Sequence, residues 1–136
     1  MSQITLLDAS AILAFLQGEP GQDRVLTALQ STPCLVSAAN QAEIISKSLD
    51  RGGDKDTIQR ILAELNYTVI DILAEDGEQA GWLCASTRYL GLSLGDRLCL
   101  ATAQRLKSQV LTTDRDWLKL ATELSLDIVC IRPEKH

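Results

Sequence analysis

Short apolar runs alternate with helical patterns along nearly all of this 136-residue chain, and that alternation limits its fold more than any other feature. A run such as Ile4–Leu7 is typical of a strand that is covered on both faces, as in a central parallel sheet. The later runs of this kind are Cys34–Val36, Thr68–Ile70, Val110–Thr112 and Ile128–Ile131. Together they predict a three-layer α/β/α sandwich around a parallel sheet.

The segments between these runs have the spacing and end signals of helices. Within Asp54–Leu65, the residues Ile58, Ile61, Leu62 and Leu65 follow the i, i+3, i+4, i+7 pattern of an amphipathic helix. The other predicted helices are Ser10–Leu16, one marked by Val25, Ala28 and Leu29, Ala38–Leu49 after an N-cap at Ser37, Ala74–Tyr89, Gly95–Lys107 and Asp114–Leu124.

Two of these helices carry further expectations. In the helix that follows Ser37, the residues Ala42, Ile45 and Leu49 share one face. The helix Gly95–Lys107 has almost no polar surface at residues 98–101, so it is predicted to be sandwiched between other elements.

Composition excludes several classes of protein. The single histidine, His136, ends the chain, which argues against histidine triads and histidine metal sites. The net charge of −5 argues against simple basic-patch binding of nucleic acid, although a bound metal would reverse the sign locally. No apolar run approaches membrane-span length and no basic leader begins the chain, so we expect a cytoplasmic protein of one domain, residues 1–136. The cysteines, none in a Cys-x-x-Cys pair, are expected to be buried free thiols.

Four acids stand beside apolar elements. Asp8 ends the first strand, and Glu43 lies in the second turn after the next strand. Asp96 begins the helix that leads to the fourth strand, and Asp114 ends that strand. Strand ends and the helix starts that follow them share one edge of a parallel sheet, where ligands bind. The topology therefore predicts that these four carboxylates converge.

Each acid also has a purely structural interpretation. Asp8 and Asp114 fit helix N-caps, and Glu43 fits an exposed helix acid. The segments Ser93-x-x-Asp96 and Thr113-x-x-Asp116 resemble capping boxes, although Glu or Gln is the usual partner. The convergence on one edge is what makes these interpretations less plausible together than singly.

Clustered carboxylates need a proton or a cation. Two of them about 4 Å apart repel by about 4 kcal/mol at an effective dielectric near 20. Oxygen ligands without histidine or cysteine favour Mg²⁺ or Mn²⁺ over zinc. Such an ion polarises a phosphate and activates a water, so the pattern indicates hydrolysis of a phosphodiester bond without a protein nucleophile.

Four segments resemble PIN-domain ribonucleases, specifically the VapC-type toxins of type II toxin–antitoxin systems. They are Leu7–Ala11, Glu43 in its helix, Leu92–Ala101 and Leu111–Trp117, and the resemblance spans nearly the whole chain. It implies a parallel sheet ordered 3-2-1-4-5. It also implies an endonuclease that cleaves RNA with Mg²⁺ or Mn²⁺.

The resemblance also implies roles for individual residues. Asp8 and Asp96 match the firmest metal ligands, and Glu43 and Asp114 would complete the acidic cluster directly or through water. The hydroxyls of Ser10 and Thr112 would orient carboxylates or water. Asp116 is a weaker candidate, equally well explained as a cap.

Members of this family usually dimerise and are blocked by a small antitoxin, so a homodimer and an antitoxin partner are expected. Arg97 is interpreted as facing phosphate or antitoxin, or as part of a surface ion pair. Four further basic residues are either groove residues for RNA or, more simply, solvated side chains: Lys47, Arg51, Arg115 and Lys119.

Three rival interpretations stay open. A phosphatase that uses an aspartyl nucleophile needs Asp-x-Asp after the first strand, where this chain has Asp8-Ala9-Ser10. A receiver domain needs paired acids and a late lysine, which are not evident. A catalytically silent PIN-like module that only binds a partner is opposed by the presence of all four acids.

Overall fold

The computed structural model describes residues 3–134, so Met1, Ser2, Lys135 and His136 lie outside it. Its centre is a five-stranded sheet in the order β3-β2-β1-β4-β5, with every neighbouring pair parallel. This confirms the predicted α/β class and the strand order that the family resemblance implied. The strands are β1 Thr5–Leu7, β2 Cys34–Ser37, β3 Thr68–Ile70, β4 Gln109–Thr112 and β5 Asp127–Cys130.

The helices fill both faces of the sheet. Their bounds are α1 Ala9–Leu16, α2 Gln22–Ser31, α3 Ala38–Asp50, α4 Lys55–Glu64, α5 Ala74–Thr87, α6 Leu94–Leu106 and α7 Ala121–Leu124, with 3₁₀ turns at Arg88–Leu90 and Arg115–Leu120. Most predicted helices lie within one or two residues of these bounds. The caps explain several starts: the Ser37 side chain accepts from the Asn40 amide, and Asp54 accepts from Thr57.

Neighbouring residues on the central strands face opposite sides of the sheet. Leu6 and Val110 belong to a core shared with α5 and α6, whereas Leu7 and Leu111 belong to a core shared with α1, α2 and α3. This follows from the alternation of side chains along a strand. At these residues β1 and β4 are therefore apolar on both faces, and the polar residues Asp8 and Thr112–Asp114 stand where the two strands end.

The helix predicted at Asp114–Leu124 is wrong in its first half. Residues Arg115–Leu120 form a 3₁₀ helix, and only Ala121–Leu124 continues as an α-helical turn. Trp117 and Leu120 are both buried. Their spacing of three residues suits the three residues per turn of a 3₁₀ helix.

The face of α3 that carries Ala42, Ile45 and Leu49 does not enter either core cluster. Asn40 and Ile44 are the buried residues of α3, whereas Ile45 and Leu49 are 38% and 49% exposed. The exposed pair instead lines a groove against α4 and β3.

The prediction that α6 is sandwiched between other elements is confirmed, because residues 99–103 are all buried.

The four cysteines are free, as predicted; Cys34, Cys99 and Cys130 are buried, and Cys84 is partly exposed. Within residues 3–134, no helix has the length and apolar character needed to cross a membrane.

Candidate active site

Asp8 lies where β1 passes into α1, and it is 3% exposed. Its Oδ1 accepts from the Ala11 amide at 2.8 Å and from the Ser10 hydroxyl at 2.7 Å. Its Oδ2 accepts from the Thr112 hydroxyl at 2.6 Å. Asp8 therefore caps α1, as its structural interpretation predicted, but a cap alone does not require such deep burial.

The environment of Asp8 disfavours its charge. Burial raises the pKa of Asp8 from its ordinary value of 3.8 to about 6, helped by the nearby charge of Asp96. The hydrogen bonds from Thr112, Ser10 and Ala11 lower the pKa but do not outweigh burial. None of these hydrogen-bond donors carries a charge, so the carboxylate is held in place without being neutralised.

Two hydroxyls tie Asp8 to the loop after β4. The Thr112 hydroxyl, which donates to Asp8, accepts from the Asp114 amide at 3.1 Å. The Ser10 hydroxyl, which also donates to Asp8, accepts from the Thr113 amide at 3.0 Å. β1 and β4 are adjacent and parallel, so these contacts fix the two strand ends against each other.

Asp96 is the third residue of α6. Its Oδ2 accepts from the Ser93 amide at 3.0 Å, and its own amide donates to the Ser93 hydroxyl at 3.1 Å. The predicted capping box is thus confirmed. The second one, Thr113-x-x-Asp116, is wrong, because Asp114 instead accepts from the Asp116 amide at 3.0 Å. The capping bonds of Asp96 leave its Oδ1 free of hydrogen bonds to the part of the chain that the structure describes.

Asp8, Asp96 and Asp114 line one open cleft of about 770 Å³ at the carboxyl edge of the sheet. Asp8 is buried at its base, Asp96 is half-buried and Asp114 is exposed. The remaining lining residues are Ser10, Thr113, Arg115, Trp117, Arg132, Pro133 and Glu134. The cleft therefore combines acids with two arginines.

Glu43 does not line that cleft, but it lies next to the start of α6. A Cβ at Gly95 would overlap Oε1 of Glu43, so the carboxylate touches the residue before Asp96. Burial raises the pKa of the Cys99 thiol, and the charges of Asp8, Asp96 and Glu43 raise it further. These three carboxylates thus all lie near one buried thiol in α6.

The carboxylates do not already form a metal-binding set. Across residues 3–134, no three histidine, cysteine or acidic side chains are grouped closely enough to hold an ion as they stand. A cation would have to draw side chains together. The half-buried Asp96 and the exposed Asp114 have the rotamer freedom to move, whereas Asp8 is fixed by its three hydrogen bonds.

Other predicted residues lie elsewhere. Asp116 forms an ion pair with Lys119 at 3.2 Å instead of lining the cleft. Arg97 donates to the Ala80 carbonyl oxygen at 3.1 Å, which none of its predicted roles included. Arg115 does line the cleft, and it donates to the Arg132 carbonyl oxygen at 2.9 Å.

Two features of this region were not predicted from the sequence. The segment 132–134 lines the cleft, although Pro133 signalled only the end of a strand. Asn40 donates to Oε1 of Glu43 at 3.0 Å. Its position three residues before Glu43 on a helix was a usable signal, because such residues are neighbours on the helix surface.

The chain thus has a parallel α/β/α fold with acids at the carboxyl edge of its central strands, and its sequence matches one family of such domains. The model of the PIN domain family matches residues 5–123, so the chain belongs to that family. PIN domains are nucleases. None of the curated proteins matches the sequence.

Solved structures show the same fold at low identity. A toxin–antitoxin complex from Klebsiella pneumoniae is 18% identical with a TM-score of 0.70, over 96% of this chain and 99% of that one. VapBC-1 from nontypeable Haemophilus influenzae is 18% identical with a TM-score of 0.71, over 94% and 98%. FitAcB from Neisseria gonorrhoeae is 17% identical with a TM-score of 0.69, over 93% and 97%.

Proposed function

We propose that this protein is a Mg²⁺- or Mn²⁺-dependent endoribonuclease and the toxin of a type II toxin–antitoxin system. The observation that carries the proposal is the cleft at the carboxyl edge of the sheet, which is lined by Asp8, Asp96 and Asp114. Membership of the PIN family supports nuclease chemistry. Three structures with the same fold are toxin–antitoxin, VapBC or FitAcB structures, which supports the toxin assignment.

The donor chemistry of the cleft fits a small hard cation. Asp8 is a buried carboxylate with no charged hydrogen-bond partner, and the neighbouring acids add negative charge. A divalent ion would offset this unfavourable field and would find only oxygen ligands. When bound, such an ion polarises the scissile phosphate and lowers the pKa of a bound water.

We assign the acids separate tasks. Asp8 and Asp96 would hold the metal, and Glu43 and Asp114 would complete the cluster directly or through water. Ser10 and Thr112 hold the Asp8 carboxylate through hydrogen bonds of 2.7 and 2.6 Å, which fixes the direction of its oxygens. The role of Asp116 stays a prediction from the sequence.

The arginines of the cleft suit an anionic substrate. Arg115 and Arg132 both line it, and guanidinium groups bind phosphate oxygens in a bidentate manner. We infer that an RNA strand crosses the acids with its phosphates against these arginines. This gives a protein of pI about 4.8 a local place to bind RNA.

We further propose a cytoplasmic homodimer, formed from the single domain of residues 1–136, that is blocked by a small antitoxin. The antitoxin is supported by neighbours whose names include VapBC and an antitoxin complex. The alternative of a catalytically silent module predicts the same partner without cleavage. RNA cleavage therefore separates the two.

The deciding experiment compares the wild-type protein, freed of any antitoxin, with Asp8→Ala in RNA cleavage with and without Mn²⁺. We expect metal-dependent cleavage that falls at least ~100-fold in Asp8→Ala, equivalent to about 2.7 kcal/mol of barrier. Asp127→Ala is the matched control, because Asp127 is exposed at the opposite end of a strand. Equal cleavage by wild type and Asp8→Ala would identify a contaminating nuclease and overturn the proposal.

A further inference from the structure

Asn40 is a polar side chain in an unusual place. It is the third residue of α3 and is 1% exposed. Its backbone amide donates to the Ser37 hydroxyl, which caps the helix. Among residues 3–134, its side-chain Oδ1 has no hydrogen-bond partner. A buried, unpaired carbonyl is unfavourable, so the fold gains little from an asparagine at this position.

In the described part of the chain, the Asn40 side chain makes a single hydrogen bond, and its partner is an acid. Its Nδ2 donates to Oε1 of Glu43 at 3.0 Å, one helical turn further along α3. Glu43 is half-buried and sits over the start of α6. The amide thus restricts a flexible glutamate side chain that would otherwise occupy several rotamers.

Gly95 contacts the same carboxylate. It is the second residue of α6, where glycine costs helix stability compared with alanine. A Cβ at this position would overlap Oε1 of Glu43, the atom that Asn40 binds. The glycine therefore creates the space in which this oxygen lies, directly before Asp96.

We propose that Asn40 is a positioning residue that holds Glu43 against Gly95, so that the second oxygen of Glu43, Oε2, is kept for the ion that Asp8 and Asp96 would hold, directly or through water. The inference rests on the proposed function, because it assigns Glu43 a ligand role. Oε1 is engaged by Asn40, whereas Oε2 accepts no hydrogen bond from the described residues. A fixed carboxylate loses less rotamer freedom when it binds an ion than a free one.

The test is a double-mutant cycle with Mn²⁺ affinity, measured by titration calorimetry without RNA, as its readout. We expect Asn40→Ala to weaken Mn²⁺ binding about tenfold, the usual effect of removing an outer-shell partner. In a Glu43→Ala background the same substitution should change affinity less than about twofold, because its target is gone. Asn66→Ala is the matched control, since that amide donates to the Leu29 carbonyl oxygen, away from the cleft.

The outcomes separate the two levels of the proposal. Wild-type affinity in Asn40→Ala, or losses that simply add in the double variant, would overturn the positioning role alone. A wild-type protein that fails to bind Mn²⁺ would overturn the proposed metal site, and the positioning role with it.

Gly95→Ala tests the same contact if Asn40→Ala does not fold. The added methyl group meets the flexible end of Glu43, so we expect the fold to persist while the carboxylate is displaced. Mn²⁺ binding should weaken in the wild-type background and stay unchanged in the Glu43→Ala background. Unchanged binding in Gly95→Ala would contradict the proposal.

Discussion

Asp8 and Asp76 are the two deeply buried acids of the described chain, at 3% and 1% exposure, and their surroundings are opposite. Both carboxylate oxygens of Asp76 accept hydrogen bonds from the guanidinium group of Arg105, at 2.8 and 2.9 Å. Burial raises the pKa of Asp76, but the hydrogen bonds from Arg105 and Leu73 and the charge of Arg105 bring it below its ordinary value. Within residues 3–134 the hydrogen-bond donors to Asp8 are all neutral, and its pKa rises to about 6.

The difference separates an acid that is paired within the fold from the acid that we propose to bind the metal. The Asp76 carboxylate joins α5 to α6 and has its counter-charge within the chain. The Asp8 carboxylate is equally well packed but has no such partner, and it opens onto a cleft. A buried charge without an internal partner marks a functional site more specifically than burial alone.

Removing the internal cation of Asp76 should have the largest effect on stability. Arg105→Met leaves Asp76 buried without its partner, and we expect a loss of about 3 kcal/mol, near the lower end for buried pairs because Arg105 is partly exposed. Urea unfolding at pH 7 measures it. Arg60→Met, at an exposed position of α4, should change stability by less than about 0.5 kcal/mol.

The sign of the pH dependence gives a second check on this pair. A carboxyl group with a lowered pKa stabilises the fold above its ordinary value of 3.8, and that contribution is lost as the pH falls further. The difference between wild type and Arg105→Met should therefore shrink below about pH 4. A difference that stays constant down to pH 2 would mean that the ion pair is not its cause.

Neutralising Asp8 should raise the free energy of unfolding, whereas Arg105→Met should lower it. In metal-free protein at pH 8, Asp8→Asn should raise stability by at most about 3 kcal/mol, since each pKa unit is worth about 1.4 kcal/mol and the pKa rises from 3.8 to about 6. The asparagine Oδ1 can still accept from Ala11 and Ser10. Urea unfolding across a pH series measures the gain.

The window of that gain follows from the raised pKa. Above about pH 6 the folded protein carries the full cost of the Asp8 charge, and the cost disappears as the pH falls toward 3.8. The advantage of Asp8→Asn should therefore be complete at pH 8 and absent near pH 4. An Asp8→Asn protein that is less stable than wild type at pH 8 would show that the carboxylate is already compensated within the chain.

A cation from solution should act on one of these acids and not on the other. At a Mn²⁺ concentration one hundred times the dissociation constant, binding stabilises the fold by about 2.7 kcal/mol and raises Tm. Asp96→Asn should remove most of that rise, whereas Arg105→Met should keep it from its lower starting Tm. Thermal unfolding with and without millimolar Mn²⁺ tests this, and a wild-type Tm indifferent to Mn²⁺ would contradict the assigned site.

The strands and the sandwiched helix could be predicted because their signals are local. The runs around Leu6 and Val110 are apolar on both faces of the sheet, and residues 99–103 of α6 are buried throughout. The edge on which Asp8 and Asp114 lie followed from topology, since parallel strands end on one side. The strands, the helix α6 and the position of the sheet edge thus depend on the periodicity of apolar residues and on the handedness of the crossover connections more than on particular contacts.

The missed features depend on contacts between distant segments. Ile45 and Leu49 have helical spacing, but packing of α3 selected Asn40 and Ile44 as its buried residues. Around the buried Trp117, the chain forms a 3₁₀ helix where an α-helix was predicted. That Arg132 borders the cleft depends on where the chain turns after β5, which no local pattern encodes.

The pairing of β1 with β4 has a consequence for insertions and deletions. Leu7 lies beside Leu111, so the next residues, Asp8 and Thr112, meet and form their hydrogen bond of 2.6 Å. A slip of one residue between these strands would turn each following side chain to the other layer of the molecule. A one-residue insertion or deletion in either strand could therefore preserve the α/β/α sandwich and still turn the acid toward an apolar core. The pairing of the two innermost strands thus fixes the geometry of the cleft as well as that of the core.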